Sequence, residues 1–366
     1  MSRRAGLIVL LVSVVLAVLL AWALRSPPQA SRAHGAATAQ ADRQPAHGSD
    51  RPPRLVPTKA WPAKVSHGRL RGGSAPAPDG YGVSTAAVPP EAILDTDVGP
   101  EDVPALNTPP ALSEPAEQPP DDTVVIGVVV DGAARAYRVD VLNYHWAVND
   151  VIDGRRVLVL WDPIAGAAAV YQGTLDGKPI EAGVSGKWYQ GSALFYDRQS
   201  TSLFPAITGR FVTGPLAGRA LQPLPYRRES WATWLEDHPK SKVLHTKLGW
   251  ERDDYAVDPF ASLGTQPETI AVLLPPAEAA PRLPPMEWVV GFIDPIGKAT
   301  CCATDSLPED EPLRLDRALI ERGPDGGASV TLSGGVWPQQ TRCRYFAWAG
   351  LHPGTEVWAP EKQPTP

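Results

Sequence analysis

Three Asp-Gly dipeptides, each between two strand-like runs, most constrain what this chain can fold into. They are Asp131-Gly132, Asp153-Gly154 and Asp176-Gly177, spaced 22 and 23 residues apart. Asp-Gly favours the type I′ turn of a tight hairpin, because both central residues of that turn need positive φ. The flanking runs, such as TVVIGVVV before the first turn, are rich in β-branched residues. The spacing therefore predicts an antiparallel meander of hairpins.

The chain also contains an internal echo. The segment SWATWLEDHPKSKVL recurs as RYFAWAGLHPGTEVW, and TVVIGVVVDGAARAY recurs more weakly as EWVVGFIDPIGKATC. The echo aligns three residues of the first copy with three of the second, namely Trp231, Trp234 and His238 with Tyr345, Trp348 and His352. It also aligns Gly127 with Gly291. A repeat of this kind indicates two related halves, the second shortened between its two matching segments.

Helices are expected to be few and short. One is predicted around Val139–Tyr144, and another from Ser230, a favourable N-cap, to Asp237, just before a proline. The fold class is therefore predicted to be mainly β with short helices (α+β), with antiparallel hairpin-rich sheets in two unequal, related halves. The two histidines of the echo are interpreted as helix stops.

The N-terminus predicts export from the cytoplasm. Ala5–Leu24 is an uncharged run of twenty residues, long enough to span a bilayer as a helix. Arg3 and Arg4 precede the run, which favours a cytoplasmic N-terminus with the rest of the chain outside. A transmembrane anchor or uncleaved signal over residues 1–25 is preferred to a cleaved signal peptide, although Ala21-Trp22-Ala23 resembles a cleavage site.

Composition divides the remainder into three parts. Residues 26–88, rich in Pro, Ala and Arg, are predicted to be a disordered linker, 89–280 the first β-rich half and 281–366 the shortened second half. The stretch 25–88 carries nine basic and three acidic residues, whereas 89–366 carries a formal net charge of about −14. An acidic folded part argues against nucleic acid as a partner. The expected partners are the membrane, through the N-terminal helix, and an unknown small ligand or envelope protein.

Cysteine usage excludes several kinds of site. The chain has only Cys301, Cys302 and Cys343 and no CxxC motif, which rules out a zinc ribbon or a thioredoxin-like dithiol. A disulfide between Cys302 and Cys343 is possible in an oxidising compartment, and buried free thiols are the alternative. No metal site and no cofactor are predicted.

From Ile93 to Trp358 the chain resembles the DUF3179 domain family of bacterial envelope proteins of unknown function. The resemblance depends on the order of several stretches, among them IGVVVDGAARAY, HWAVND, VSGKWYQGSALFYDRQSTSLF, GPLAGRAL, WATWLEDHP and FAWAGLHP. Family members usually have His-Glu where this chain has His145-Trp146, and Cys-Pro-Leu-Cys where it has Asp162-Pro163-Ile164-Ala165. This chain is therefore identified as a divergent member that lacks the Cys-Pro-x-Cys motif. A thiolate ligand or nucleophile cannot be replaced by alanine, so a role that depended on those cysteines would be altered or lost here.

The same stretch gives a candidate polar site. A two-residue turn at Asp153-Gly154 would place Asn149 opposite Leu158 and His145 opposite Asp162. The full candidate set comprises His145, Asn149, Asp150, Asp162, Tyr196, Asp197, Arg198 and Ser200. Two interpretations stay open. These residues form a buried polar network, with Arg198 paired to Asp150 or Asp197, or some of them converge in a pocket for an anionic or sugar-like ligand.

The sequence favours a membrane-anchored, exported, non-catalytic binding or structural module of the cell envelope. The alternative is a hydrolytic or metal-assisted enzyme that uses His145 and nearby carboxylates, so whether the chain is an enzyme stays open. A closed, satisfied polar network would favour the first reading, and an open cleft would favour the second.

Overall fold

The computed structural model describes residues 55–70, 79–112, 117–248, 255–264, 271, 273, 282–323 and 327–358. The predicted anchor, Ala5–Leu24, lies outside these residues. Within the described part of the chain, no helix is both long and apolar enough to cross a membrane.

Strands dominate the described residues. In chain order they are β1 Ala60–Pro62, β2 Val65–Ser66, β3 Arg69–Leu70, β4 Tyr81–Gly82, β5 Ile93–Thr96, β6 Leu106–Asn107, β7 Ala111–Leu112, β8 Val124–Val130, β9 Ala133–Arg138, β10 Ala147–Ile152, β11 Arg155–Asp162, β12 Ala167–Gln172 and β13 Thr174–Leu175. They continue with β14 Lys178–Pro179, β15 Ala182–Tyr189, β16 Ser192–Asp197, β17 Leu203–Pro205, β18 Tyr226–Ser230, β19 Lys242–Leu244, β20 Trp288–Ile293, β21 Ala299–Ala303, β22 Leu313–Leu315, β23 Ala318–Arg322, β24 Ala328–Leu332, β25 Gln339–Arg344 and β26 Glu356–Trp358.

Three short α-helices accompany the strands: α1 Val139–His145, α2 Trp231–Asp237 and α3 Tyr345–Leu351. Short 3₁₀ segments occur at Pro90–Ala92, Ala261–Gly264 and Thr304–Ser306. The predicted class, mainly β with short helices and several antiparallel sheets, is confirmed.

The two halves share one frame. In the first, four strands lie in the order β18-β8-β9-β19, with β7 added at the edge, and in the second the order is β25-β20-β21-β26. The last strand of each frame, β19 or β26, pairs in parallel with the second strand of the hairpin. In both frames a seven-residue helix joins the first strand of this order to the last. The repeat inferred from sequence is therefore present as a repeated sheet topology.

Each helix is held by the same contact in both frames. Trp234 of α2 lies over Gly127, where an added Cβ would come within 2.4 Å of the indole, and Trp348 of α3 lies over Gly291 at 2.2 Å. Only glycine leaves room for an indole so close to the backbone. The predicted N-cap is confirmed, since the Ser230 hydroxyl accepts a hydrogen bond from the Thr233 amide.

The second half is the shorter one, as predicted. In the first half, residues 139–225 lie between the central hairpin and β18, and they form α1 and strands β10–β17. In the second half, residues 304–338 fill the same place and form the three-stranded sheet β22-β23-β24. The first insert builds two larger sheets, ordered β12-β11-β10-β6 and β1-β5-β15-β16-β17.

The three Asp-Gly turns form the predicted hairpins. All six turn residues have positive φ, and they join β8 to β9, β10 to β11 and β13 to β14. The prediction that the three hairpins form one antiparallel meander was wrong, because they lie in three different sheets. A turn dipeptide fixes the pairing of its own two strands, whereas the sheet that each hairpin joins depends on partners far away in sequence.

The C-terminal boundary predicted for the linker, residue 88, lies beyond the point where described strands begin. Residues 55–70 and 79–88, assigned to it from composition, include the strands β1 to β4. Leu70 and Tyr81 are fully buried and pack with Ile93, Leu194 and neighbouring residues in a small hydrophobic cluster. A few large apolar side chains therefore anchor this stretch despite its polar composition.

One hydrophobic core joins the two halves. It contains Val159 and Leu160 of the first half together with Cys343, Phe346 and Trp348 of the second. Smaller clusters lie between the second frame and its insert and under α2.

Candidate functional site

The β10–β11 hairpin has the predicted register. Asn149 lies opposite Leu158, and pairing continues to Ala147 opposite Leu160. It stops there because Trp146 adopts a left-handed conformation, with φ 48°, and its amide closes the end of α1 on the Leu142 carbonyl. His145 is therefore the last residue of a helix, not a strand residue.

The predicted pairing of His145 with Asp162 was wrong. The His145 Nδ1 lies 2.8 Å from the Pro104 carbonyl, and its Nε2 lies 2.8 Å from the Tyr255 hydroxyl. Because a carbonyl only accepts, Nδ1 carries the proton in the neutral ring and Nε2 accepts from Tyr255. His145 is itself 3 % exposed.

Asp162 is a structural carboxylate at the end of β11. One oxygen accepts from the amides of Ile164 and Ala165, at 3.2 and 3.1 Å. The other accepts from the Ala193 amide at 2.8 Å and from the Ser192 hydroxyl at 3.1 Å. Burial raises the pKa of Asp162, and these four donors oppose that rise. The side chain thus folds the turn that follows it and ties that turn to β16.

Asp150 belongs to a separate network on the other strand of the hairpin. Its carboxylate forms an ion pair with Arg135 and accepts from the Tyr137 hydroxyl at 2.7 Å and from the Val151 amide at 2.7 Å. Burial, together with the Asp150 charge, raises the pKa of Tyr137 well above its usual value. Arg135 is thus the partner of Asp150, and the predicted pairing with Arg198 was wrong.

Arg198 and Tyr196 converge on a residue that the sequence did not single out, Glu101. The Tyr196 hydroxyl donates to Glu101 Oε1 at 2.5 Å, and Arg198 Nη2 donates to Oε2 at 2.8 Å. Burial lowers the pKa of Arg198, but the Glu101 charge, Tyr196 and the hydrogen bonds to both residues together outweigh burial, so the pKa is raised. Burial, reinforced by the same charge, raises the pKa of Tyr196. Glu101 is only 9 % exposed, so this is a largely closed cluster.

The remaining candidate side chains make most of their hydrogen bonds to backbone groups. The Asn149 side chain donates to the Ala182 carbonyl and accepts from the Ala182 amide, at 2.9 and 2.8 Å, and it also donates to Asn107. Asp197 accepts from the amides of Glu181 and Ser200, at 3.1 and 2.9 Å. The Ser200 hydroxyl donates to Ser202. These contacts close turns and join neighbouring strands.

The structure therefore divides the candidate set into several local networks. Sequence reasoning missed their key partners, Glu101, Arg135, Tyr137 and Tyr255. Glu101 and Arg198 are 97 residues apart in the chain, and His145 and Tyr255 are 110 apart, so no local pattern connects them. Arg135 and Tyr137 stand at the end of the quoted stretch IGVVVDGAARAY, where their alternation on one strand was the available signal.

The proposed disulfide is not formed, because all three cysteines are free and buried. Cys302 lies opposite Val290 and Cys343 opposite Val289, so the two thiols face opposite sides of the same sheet. Burial raises the pKa of Cys302 to about 12 and that of Cys343 well above its usual value. Both groups are therefore protonated thiols at neutral pH.

Within the described residues, no group of three or more His, Cys, Asp and Glu side chains is arranged to hold a metal ion. The described candidate residues instead have protein partners at hydrogen-bonding distance.

Comparison with known proteins gives one match. The family model described as "Protein of unknown function (DUF3179)" matches residues 100–317, more than half of the 366-residue chain. No curated protein and no solved structure matches. The chain belongs to the DUF3179 family.

Proposed function

We propose that this chain is an exported, membrane-tethered module of the cell envelope that binds a ligand or partner without catalysing a reaction. One observation supports this proposal above others: the polar residues that could have formed a reactive site are distributed among closed networks. Asp150, Asp162 and Asp197 are at most 2 % exposed and accept their hydrogen bonds from the protein's own amides, hydroxyls and guanidinium groups.

The hydrolytic alternative relied on a histidine beside carboxylates. A general base needs a free nitrogen within reach of the proton that it removes. Both ring nitrogens of His145 have protein partners, and Asp162 makes its hydrogen bonds elsewhere. No observation on this site favours hydrolysis over binding.

Tethering and export are supported by the N-terminal sequence. Ala5–Leu24 has the length and apolar character of a spanning helix, and Arg3 and Arg4 favour retention of the N-terminus in the cytoplasm. The basic stretch that follows would lie close to anionic headgroups.

The tether is tested by fractionation of cells that express the full chain. The protein should remain in the membrane pellet after alkaline extraction, and protease added to spheroplasts should digest the folded part. A Val14→Arg variant places a charge at the centre of the apolar run and should lower the pelleted fraction. A wild-type chain that is released by alkali, or protected from external protease, would contradict the tethered and exported placement.

The absence of metal-assisted chemistry is tested by elemental analysis of the full chain purified in detergent. We expect transition metals well below one atom per chain after dialysis. A stoichiometric metal that withstands dialysis would overturn the non-catalytic proposal and revive the metal-assisted alternative.

A further inference from the structure

Three arginines surround one tryptophan where the two halves meet. Arg342 and Arg344 of β25 place their guanidinium carbons 4.0 and 3.8 Å from the centre of the Trp288 ring. Arg228 of β18 lies 5.6 Å from the same ring and 5.1 Å from the ring of Trp161. We call Arg228, Trp288, Arg342 and Arg344 the arginine–tryptophan cluster. All four are half-buried, so the cluster keeps a face towards solvent.

The cluster lies against the turn formed by Asp162. The Arg344 amide donates to the Ala165 carbonyl at 2.7 Å, and Arg228 Nη1 lies 3.4 Å from the Gly166 carbonyl. The Trp288 ring lies so close to Gly166 that an added Cβ would come within 2.3 Å of it. The cluster therefore adjoins the turn that follows β11.

The repeat explains how these arginines came together. Arg228 pairs with Ile126 and Arg342 with Val290, and each of these partners immediately precedes the glycine that contacts the helix tryptophan. Arg228 and Arg342 are therefore equivalent residues of the two frames. Each lies two residues before the N-cap of its helix.

None of the three guanidinium groups forms an ion pair with a described carboxylate. Arg342 Nε is buried without a hydrogen-bond acceptor among the described residues. Burial, and then the neighbouring arginines, lower the pKa of Arg228 to about 9 and that of Arg342 to about 10. Burial also lowers the pKa of Arg344, and the charges of Glu287 and Asp305 oppose this fall without cancelling it. All three groups stay charged at neutral pH.

Partly buried cations without an ion pair are costly, and several others among the described residues do form one. Arg135 has Asp150, Arg198 has Glu101, and Lys187 has Asp95. A guanidinium presents parallel N–H donors that match two oxygens of a phosphate or carboxylate group. Stacking on Trp288 would hold these forks in place, which lowers the entropy lost on binding.

We propose that the arginine–tryptophan cluster is a binding site for a phosphate group, either free or carried by an anionic lipid headgroup. This site specifies the ligand for the binding role proposed above. The proposal rests on that role only for its physiological relevance. Phosphate binding has its own readout, separate from metal content and from fractionation, so one proposal can fail while the other stands.

The test measures thermal unfolding of the full chain in detergent, in sodium phosphate and in sodium chloride of equal ionic strength. Phosphate should raise the midpoint temperature in a saturable manner beyond the chloride value, since a ligand of the folded state stabilises it by mass action. Calorimetric titration with phosphate gives the affinity. Equal midpoints in the two salts, with no titratable heat, would overturn the proposal.

Variants assign the effect to the cluster. Arg342→Gln should weaken phosphate binding about tenfold or more, because it removes a charged fork. Arg314→Gln, which removes an exposed arginine of β22, is the matched control and should bind as the wild type does. If Arg342→Gln lowers the midpoint yet keeps the full phosphate increment, the arginine is only structural and the proposal is wrong. If this variant does not fold, Arg342→Lys, which keeps the charge without the fork, replaces it with the same expected weakening.

A second arm distinguishes the source of the phosphate. Detergent micelles containing phosphatidylglycerol are compared with micelles containing phosphatidylcholine, whose headgroup has no net charge. A midpoint rise with phosphatidylglycerol that depends on Arg342 identifies a lipid headgroup, and a rise with free phosphate alone identifies a soluble ligand. A response to neither phosphate source rejects the site.

Discussion

At the scale of single residues, the most informative position is Asp162. Its two oxygens are fully engaged by three backbone amides and one hydroxyl. A thiol cannot accept four hydrogen bonds of this strength. Asp162 therefore organises the turn that follows β11, a role that a cysteine could not fill.

Asp162→Asn should destabilise the fold by about 1–3 kcal/mol, because an amide group would oppose one buried N–H donor that the carboxylate now satisfies. Urea unfolding followed by tryptophan fluorescence measures the difference. Asp153→Asn, at the exposed hairpin turn, is the control and should change stability little, since Asn-Gly suits the same turn. Equal effects at the two positions would show that the Asp162 contacts contribute nothing specific.

His352 gives a prediction on pH. Burial lowers its pKa to about 4, and its Nε2 atom is buried without a partner. The unfolded chain binds this proton near pH 6.5 but the folded chain only near pH 4, so His352 makes the fold lose stability as the pH falls through that window. His352→Gln should therefore flatten the stability profile between these values.

The measurement is the urea midpoint of wild type and variant at a series of pH values. His238→Gln, at the equivalent position of the first frame, is the matched control. A profile that stays as steep in His352→Gln as in the wild type would falsify the assignment to His352.

At the scale of secondary-structure elements, the same contact recurs: a helix tryptophan over a strand glycine, followed by a histidine. The ring centres of Trp234 and His238 are 4.0 Å apart, and those of Trp348 and His352 are 4.1 Å apart. Each indole N–H donates to a hydroxyl seven residues later, on Ser241 or Thr355. The two histidines were interpreted as helix stops, and both occupy the C-cap of their helix.

Gly127→Ala and Gly291→Ala should each lower stability by about 1–3 kcal/mol or more, because the new methyl group would overlap the indole. Thermal unfolding checks both variants. Gly82→Ala in β4 is the control, since its nearest side-chain atom would lie 3.8 Å away, at ordinary contact distance. A loss no greater than that of the control would mean that the helices shift freely over their sheets.

Local signals predicted local structure well. The Asp-Gly dipeptides specified three hairpins with their turn conformations, and the echo specified both frames and the position of the shortening. The assignment of His145 to a strand failed because helix α1 continues one residue further and the chain reverses at Trp146. A tryptophan with positive φ, unlike the aspartates of the Asp-Gly turns, gives no warning in sequence.

At the scale of the whole molecule, the two halves are not independent. Their main core is shared, and the hydroxyls of Tyr226 and Thr341 both donate to the Ala168 carbonyl, at 2.8 and 2.9 Å, joining the two frames to β12. A boundary at residue 281 separates the two copies of the repeat, but the hydrophobic core and these hydrogen bonds extend across it.

Calorimetry of the full chain should therefore show one unfolding transition for both halves. Leu160→Ala in the first half should cost about 2–5 kcal/mol and Phe346→Ala in the second about 3–5 kcal/mol, because both side chains fill the shared core. Both variants should move the same transition. Two separable transitions, each sensitive to only one variant, would contradict the shared core.

The candidate site was the least predictable part of the molecule, for a physical reason. Six of the eight candidate residues are buried, and their hydrogen-bond partners are supplied by tertiary structure. Glu101 reaches Arg198 through a loop that precedes the first frame, and Arg228 meets Arg342 through the packing of one frame on the other. The periodicity of apolar residues and the composition of turns carry no information on such contacts between distant parts of the chain.

The position of the two inserts has a consequence for the engineering of this fold. Both frames are interrupted at one point, between the central hairpin and the strand that leads into the helix, by segments as different as residues 139–225 and 304–338. Hydrogen bonding within a frame is complete whichever segment fills that gap. The frame thus keeps the same strand pairing around two different inserts, and a domain grafted at this point should leave that pairing intact for the same reason.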